Sequence, residues 1–145
     1  MASINRSALV EYSAEQMFDL VNDVDSYPQF MQGCSHAKVI SQDENELIGE
    51  LCLSKAGISQ RFTTRNQLHR PTHIDMELVE GNFSNFSARW SFDALAESAC
   101  KVSLQMDFEF NSSIVDFAAE KLFSSSANNL VDALVSRAHK IYGQK

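Results

Sequence analysis

The sequence predicts an α+β domain, a seven-stranded antiparallel sheet wrapped around one long C-terminal helix. Three observations predict it. From residue 46 to residue 110 the apolar residues fall on every second position, strand after strand. One short helical pattern precedes that region, and one long helical pattern follows it. The connections between strands are short, and short connections join antiparallel neighbours.

The elements follow in order. Ile4 to Tyr12 reads as a first strand centred on Ala8, Leu9 and Val10. Ser13 with Gln16 three residues on is a capping-box pattern, so a helix starts at Ala14. Met17, Leu20, Val21 and Val24 recur at helical spacing. Asp25-Ser26-Tyr27-Pro28 ends that helix, because proline disfavours helical backbone just before it. Pro28 is suited to open a second, short helix through Phe30 and Met31, which Gly33 stops. Strands are expected near 35–43, 46–56, 58–69, 73–80, 84–94 and 99–110, joined by short polar or turn-forming links such as Asp43-Glu44-Asn45, Ala56-Gly57 and Arg70-Pro71-Thr72. The last strand shows the pattern most cleanly: Cys100, Val102, Leu104, Met106, Phe108 and Phe110 alternate with Lys101, Ser103, Gln105, Asp107 and Glu109. Successive strand side chains face opposite ways, so the sheet has one greasy and one wet face. The greasy face needs a cover. Asn111-Ser112-Ser113 caps the expected final helix, whose apolar stripe is Ile114, Phe117, Ala118, Leu122, Leu130, Val131, Leu134, Val135, Ala138 and Ile141. At about 30 residues it would span roughly 45 Å. Its middle, Ser124 to Asn129, is small and polar, which fits a kink, a polar strip facing a cavity, or a solvated face.

At 145 residues the chain is read as one domain, residues 1–145. Its 44% hydrophobic content and ten phenylalanines suffice for a core. The net charge of −7 argues against generic nucleic-acid binding and against DNA as a partner. Residues 55–70 nevertheless hold Lys55, Arg61, Arg65 and Arg70 and no acid. Cys34, Cys52 and Cys100 are odd in number and widely spaced, so they are read as buried free thiols in a reducing compartment. No secretory signal or membrane span is visible, and the protein is read as cytoplasmic.

Several segments resemble a known family. Val24 to Cys34, with its Tyr27-Pro28-Gln29-Phe30 core, is similar to the Tyr-Pro-x-Phe signature of START-like (Bet v 1-like) polyketide cyclase/dehydrase proteins, which have the helix-grip fold. Phe62 to Leu68, Leu78 to Phe83 with Ala88 to Phe92, and Asp107 to Phe110 resemble the branch of coenzyme-Q-binding proteins and RatA-type ribosome association toxins. Gln32 stands where that branch commonly has proline, and Asn82 where it often reads Gly-Pro-Phe. The resemblance implies two activities. The first reading is non-enzymatic binding of an isoprenoid quinone, such as ubiquinone, or another lipid, as a respiratory chaperone. The alternative is binding to the large ribosomal subunit to block subunit association.

The residues themselves define candidate sites. Phe62, Met76, Leu78, Phe86, Trp90, Phe92, Met106 and Phe108 lie on the greasy phase of their strands. With Phe117, Tyr27 and Phe30 they are the candidate lining of a cavity for a flat apolar ligand. Gln60, Thr64 and Asn66 fall on the same inward phase and need partners there. Lys55, Arg61, Arg65 and Arg70 are the candidate contacts to ribosomal phosphates or, transiently, an anionic membrane; the competing reading is pairing with Glu50, Asp75 and Glu77. No catalytic motif is present, and Glu50, Asp75, Glu77, Asp107 and Glu109 fall on the wet phase, so no enzyme activity and no required cofactor are expected. His69 and His73 flank the Pro71 turn, but no carboxylate or thiol accompanies them at ligand spacing in the sequence, so no metal site is assigned.

Overall fold

The computed structural model describes residues 2–55, 57–111 and 117–143, without the side chain of Phe117. Seven strands form one antiparallel sheet: β1 (Ala2–Val10), β2 (Cys34–Gln42), β3 (Glu46–Lys55), β4 (Ile58–His69), β5 (His73–Glu80), β6 (Phe83–Ala96) and β7 (Ala99–Phe110). Their order across the sheet is β1-β7-β6-β5-β4-β3-β2. Each strand from β2 to β7 pairs with its neighbour in sequence, and β1 closes the far edge against β7. Ala56, in the expected Ala56-Gly57 turn, lies outside the described residues.

The helix α1 (Ala14–Asn22) begins with the expected capping box. Ser13 Oγ accepts from the Gln16 N–H at 3.1 Å, and Gln16 Oε1 accepts from the Ser13 N–H at 2.9 Å. These two bonds satisfy backbone groups that a helix start leaves unpaired. A short 3-10 turn, Val24–Gln29, follows with Pro28 inside it. The sequence reading had Pro28 opening a helix through Phe30 and Met31. Instead the Tyr27 carbonyl accepts from the N–H groups of both Phe30 (3.1 Å) and Met31 (2.8 Å) and ends the turn. Gly33 then turns the chain into β2 at φ +82°, a conformation that suits glycine. A Cβ there would stand 2.7 Å from Ser126 Oγ, so a larger residue would also force that side chain to shift.

The single long helix of the sequence reading is interrupted. It divides into α2 (Phe117–Asn128) and α3 (Leu130–Tyr142) at Asn129. The side-chain amides of Asn128 and Asn129 donate to the carbonyls of Ser124 and Ser125, each at 2.9 Å. Such local bonds compete with the helical ladder. The expected cap residues Ser112 and Ser113, and Ile114, lie outside the described residues. The buried stripe also differs from the expected one. It includes Leu122, Phe123, Ser126, Ala127, Leu130, Val131, Leu134 and Ala138, while Ala118 and Ile141 are exposed.

Phe123 is the centre of the contact between helix and sheet. Its ring meets Phe62, Phe83, Phe108 and Phe110 with centroids 4.9 to 5.5 Å apart, all close to edge-on. Those are favourable aromatic geometries in addition to the area they bury. Phe123→Ala is expected to cost about 3–5 kcal/mol, the range for truncating a buried aromatic. A urea unfolding curve with an unchanged midpoint would show that the helix is held elsewhere.

Candidate functional site

The concave face of the sheet and α2–α3 enclose an apolar chamber. Of the expected lining residues, Tyr27, Phe62, Met76, Phe86, Trp90 and Met106 do line it. Val21, Val24, Met31, Leu51, Ile74, Phe123 and Leu130 complete much of the wall. Phe92 does not reach it: the ring lies parallel to Trp90 at 6.4 Å and edge-on to Phe18 at 5.6 Å. Phe108 packs against Phe123 and Phe83 instead. Leu78 is half-buried beside Gly81, and Phe30 sits outside against Tyr27 and under the Arg137 guanidinium. The side chain of Phe117 lies outside the described residues. Phe123 and, from α1, Val21 were absent from the expected lining; the helical spacing of Phe123 with Ala127 and Leu130, and of Val21 with Met17, was the signal that could have found them.

The chamber encloses only about 50 Å3. Small-molecule sites are typically about 300–1,000 Å3. The Phe123 ring forms part of the chamber wall on the helix side. Among the described residues the only titratable group on its wall is Tyr27. Burial pushes that phenol up, and its hydroxyl donates to the Val21 carbonyl at 2.6 Å. This leaves no acid or base facing the chamber to move a proton. The inward polar residues of β4 divide into two cases. Thr64 Oγ1 donates to Asn66 Oδ1 at 2.9 Å. Gln60, between Ile58 and Phe62 on that face, has neither side-chain polar atom paired, and neither does Ser126 Oγ.

The basic island lies on the outer face, as its phase requires. Its arginines are paired. Arg65 meets Glu46 at 3.1 Å and Glu77 at 3.5 Å, and Arg61 meets Glu50 at 3.6 Å. Arg70 holds Asp19 through two bonds of 2.9 Å. Lys55 stands apart: it shares an open cleft of about 560 Å3 with Lys121, Ile58 and Leu122, and no acid lines that cleft among the described residues.

The hairpin β4–β5 brings together residues far less obvious in the sequence. His69 and His73 are register partners whose rings stack at 4.3 Å. Asp75 joins them, correcting the expectation that no carboxylate accompanies the pair. Arg89, opposite Asp75 on β6, grips that carboxylate and holds it below the usual range. Burial, followed by the nearby Arg89 and His69, lowers His73. The thiols also separate. Cys34 and Cys100 are buried and pushed up, Cys100 to about 11, by desolvation. Cys52, expected buried, is on the outer face, and the hydroxyl of Ser59 lowers its thiol.

A seven-stranded antiparallel sheet gripping C-terminal helices over an apolar chamber defines the helix-grip class. The chain belongs to the family described as polyketide cyclase / dehydrase and lipid transport, whose model matches residues 10–135. It is 46% identical over 144 residues to a Vibrio cholerae protein named ribosome association toxin RatA, covering 99% of this chain and 100% of that one. A Xenopus laevis mitochondrial coenzyme Q-binding protein COQ10 homolog B is 24% identical, over 97% of this chain and 59% of that one. A START superfamily protein from Mycobacterium smegmatis shares the fold at TM-score 0.77 and 20% identity, covering 96% of this chain and 98% of that one.

Two outcomes are expected from this geometry. Iodoacetamide should alkylate Cys52 well before Cys34 and Cys100 in the folded protein, because the thiolate is the reactive form. Peptide mass mapping that finds equal labelling would contradict the burial described here. Gln60→Met should leave stability unchanged or raise it by about 1 kcal/mol, since it removes unpaired buried polar atoms. A clear loss in urea unfolding would mean that the amide has a bound partner in solution.

Proposed function

We propose that this protein binds the large ribosomal subunit and blocks subunit association. The observation that carries the reading is the 46% identity, over essentially the whole of both chains, to a protein named as a ribosome association toxin. Two features of the geometry support it. The chamber, at about 50 Å3, is several-fold smaller than small-molecule sites of about 300–1,000 Å3. Among the described residues no acid lines the cleft that holds Lys55 and Lys121, whereas Glu46, Glu50 and Glu77 outnumber Arg61 and Arg65 on the outer face. Phosphates approach the first pair against less repulsion. The reading assigns no enzyme activity and a cytoplasmic site of action.

Quinone binding is the second reading, supported by the aromatic and methionine walls of the chamber and by the quinone-binding relative. It requires that the walls move apart to enlarge the chamber.

The test combines purified protein with separated ribosomal subunits on a sucrose gradient. Wild type is expected to co-sediment with the large subunit and to suppress joined ribosomes, with binding that weakens steeply as salt rises. Lys55→Glu with Lys121→Glu should reduce co-sedimentation at least tenfold, and Arg61→Glu with Arg65→Glu much less. Wild type that leaves subunit joining intact, yet quenches Trp90 fluorescence on titration with ubiquinone, would replace the first reading with the second.

A further inference from the structure

We propose that His69, His73 and Asp75 form a three-ligand site for a borderline divalent transition metal, of which Zn2+ is the representative. The inference goes beyond ribosome binding and does not depend on it. One ligand atom from each residue lies within 4.8 Å of the others. The ends of β4 and β5 impose this arrangement, since His69 and His73 face one another across the hairpin and Asp75 follows two residues on, on the same side.

The hydrogen bonds around His73 determine which nitrogen is free. The hydroxyl of Thr72 donates its single proton to the His69 carbonyl at 2.9 Å. Its 2.9 Å contact with His73 Nδ1 must therefore be one in which it accepts, so Nδ1 carries hydrogen. In the neutral ring the lone pair is then on Nε2. That atom faces Asp75 Oδ2 at 3.7 Å. The separation is too long for a hydrogen bond. Asp75 Oδ2 already accepts from Arg89 at 3.0 Å, and its spacing from His73 Nε2 suits two donors to one cation.

A bound metal ion would bridge these two atoms. Zinc sits about 2.1 Å from imidazole nitrogen and carboxylate oxygen, and a tetrahedral angle then puts two such donors about 3.4 Å apart. The observed 3.7 Å needs only a slightly wider angle. His69, whose ring now stacks on His73 at 4.3 Å and 20° from parallel, is exposed and has to rotate to aim a nitrogen at the same ion, because an imidazole lone pair lies in its ring plane. The outer partners also match what ligands of this kind need. Thr72 orients the His73 ring through its other nitrogen, and Arg89 orients Asp75 through bonds of 2.6 and 3.0 Å. Two imidazoles and one carboxylate select the zinc, cobalt, nickel and copper group over magnesium or calcium. His69 is exposed, so a fourth position opens to water. The Arg89 charge beside Asp75 opposes a dication and lowers the expected affinity.

The test is calorimetric titration of the EDTA-treated, buffer-exchanged full chain with ZnCl2, with Co2+ absorption as a second probe. One equivalent should bind saturably, and the melting temperature should rise with Zn2+. His69→Gln, His73→Gln and Asp75→Asn should each weaken binding at least tenfold. Thr72→Val should weaken it about tenfold with the metal-free melting temperature unchanged. His36→Gln and His139→Gln should change nothing. Nitrogen-15 spectra of the metal-free protein above pH 8 should show His73 protonated on Nδ1, a readout that needs no variant. The proposal is overturned by the absence of one-equivalent binding, by an unchanged isotherm in the His69→Gln/His73→Gln double variant, or by a His73 ring protonated on Nε2.

Discussion

The structure depends on one insertion, the ring of Phe123 among Phe62, Phe83, Phe108 and Phe110. A seven-stranded antiparallel sheet with one apolar face has to bury that face, and here an aromatic from α2 does so at the deepest point. The same contact bears on function. In folds of this class the space between sheet and helix is where a ligand would sit. Here the side chains that meet between sheet and helices, Phe123 among them, leave about 50 Å3. The chamber retains the character of a ligand site, with aromatic and methionine walls and the unpaired Gln60 amide nearby, but lacks the volume.

Charge is arranged on the outer face by a second constraint, cross-strand pairing. Arg65 opposite Glu77, and Arg89 opposite Asp75, are register partners, so the antiparallel ladder itself brings opposite charges together. Exposed pairs of this kind add little stability. Their larger effect is to cancel the field of an apparently basic segment. What remains for an anionic partner are the lysines at the open end of the sheet, where no acid lines the cleft among the described residues. The ladder also explains the His69, His73 and Asp75 cluster, since one hairpin register sets all three on one side.

The sequence alone determined the sheet and the start of α1. Alternation on β7 placed Cys100 through Phe110 inward at every second residue, because strand geometry has no freedom on that point. Ser13 and Gln16 announced α1 because a capping box acts within four residues. The phase of Arg61 and Arg65 was equally legible. In each of these the interaction is local, or follows from a period that local backbone geometry enforces.

Tertiary structure alone decided the rest. Whether Phe92 and Phe108 line a chamber or fill the core depends on which helix residues meet them, and Phe123 and Phe18 were not visible as those partners. Whether Arg65 is free depends on strands β3 and β5, and whether Asp75 joins two histidines depends on the β4–β5 register. The size of the chamber is the clearest case. Volume is a small difference between the space a curved sheet encloses and the side chains that fill it. No local pattern in the chain records that difference, because the residues that set it come from α1, α2, α3 and five strands.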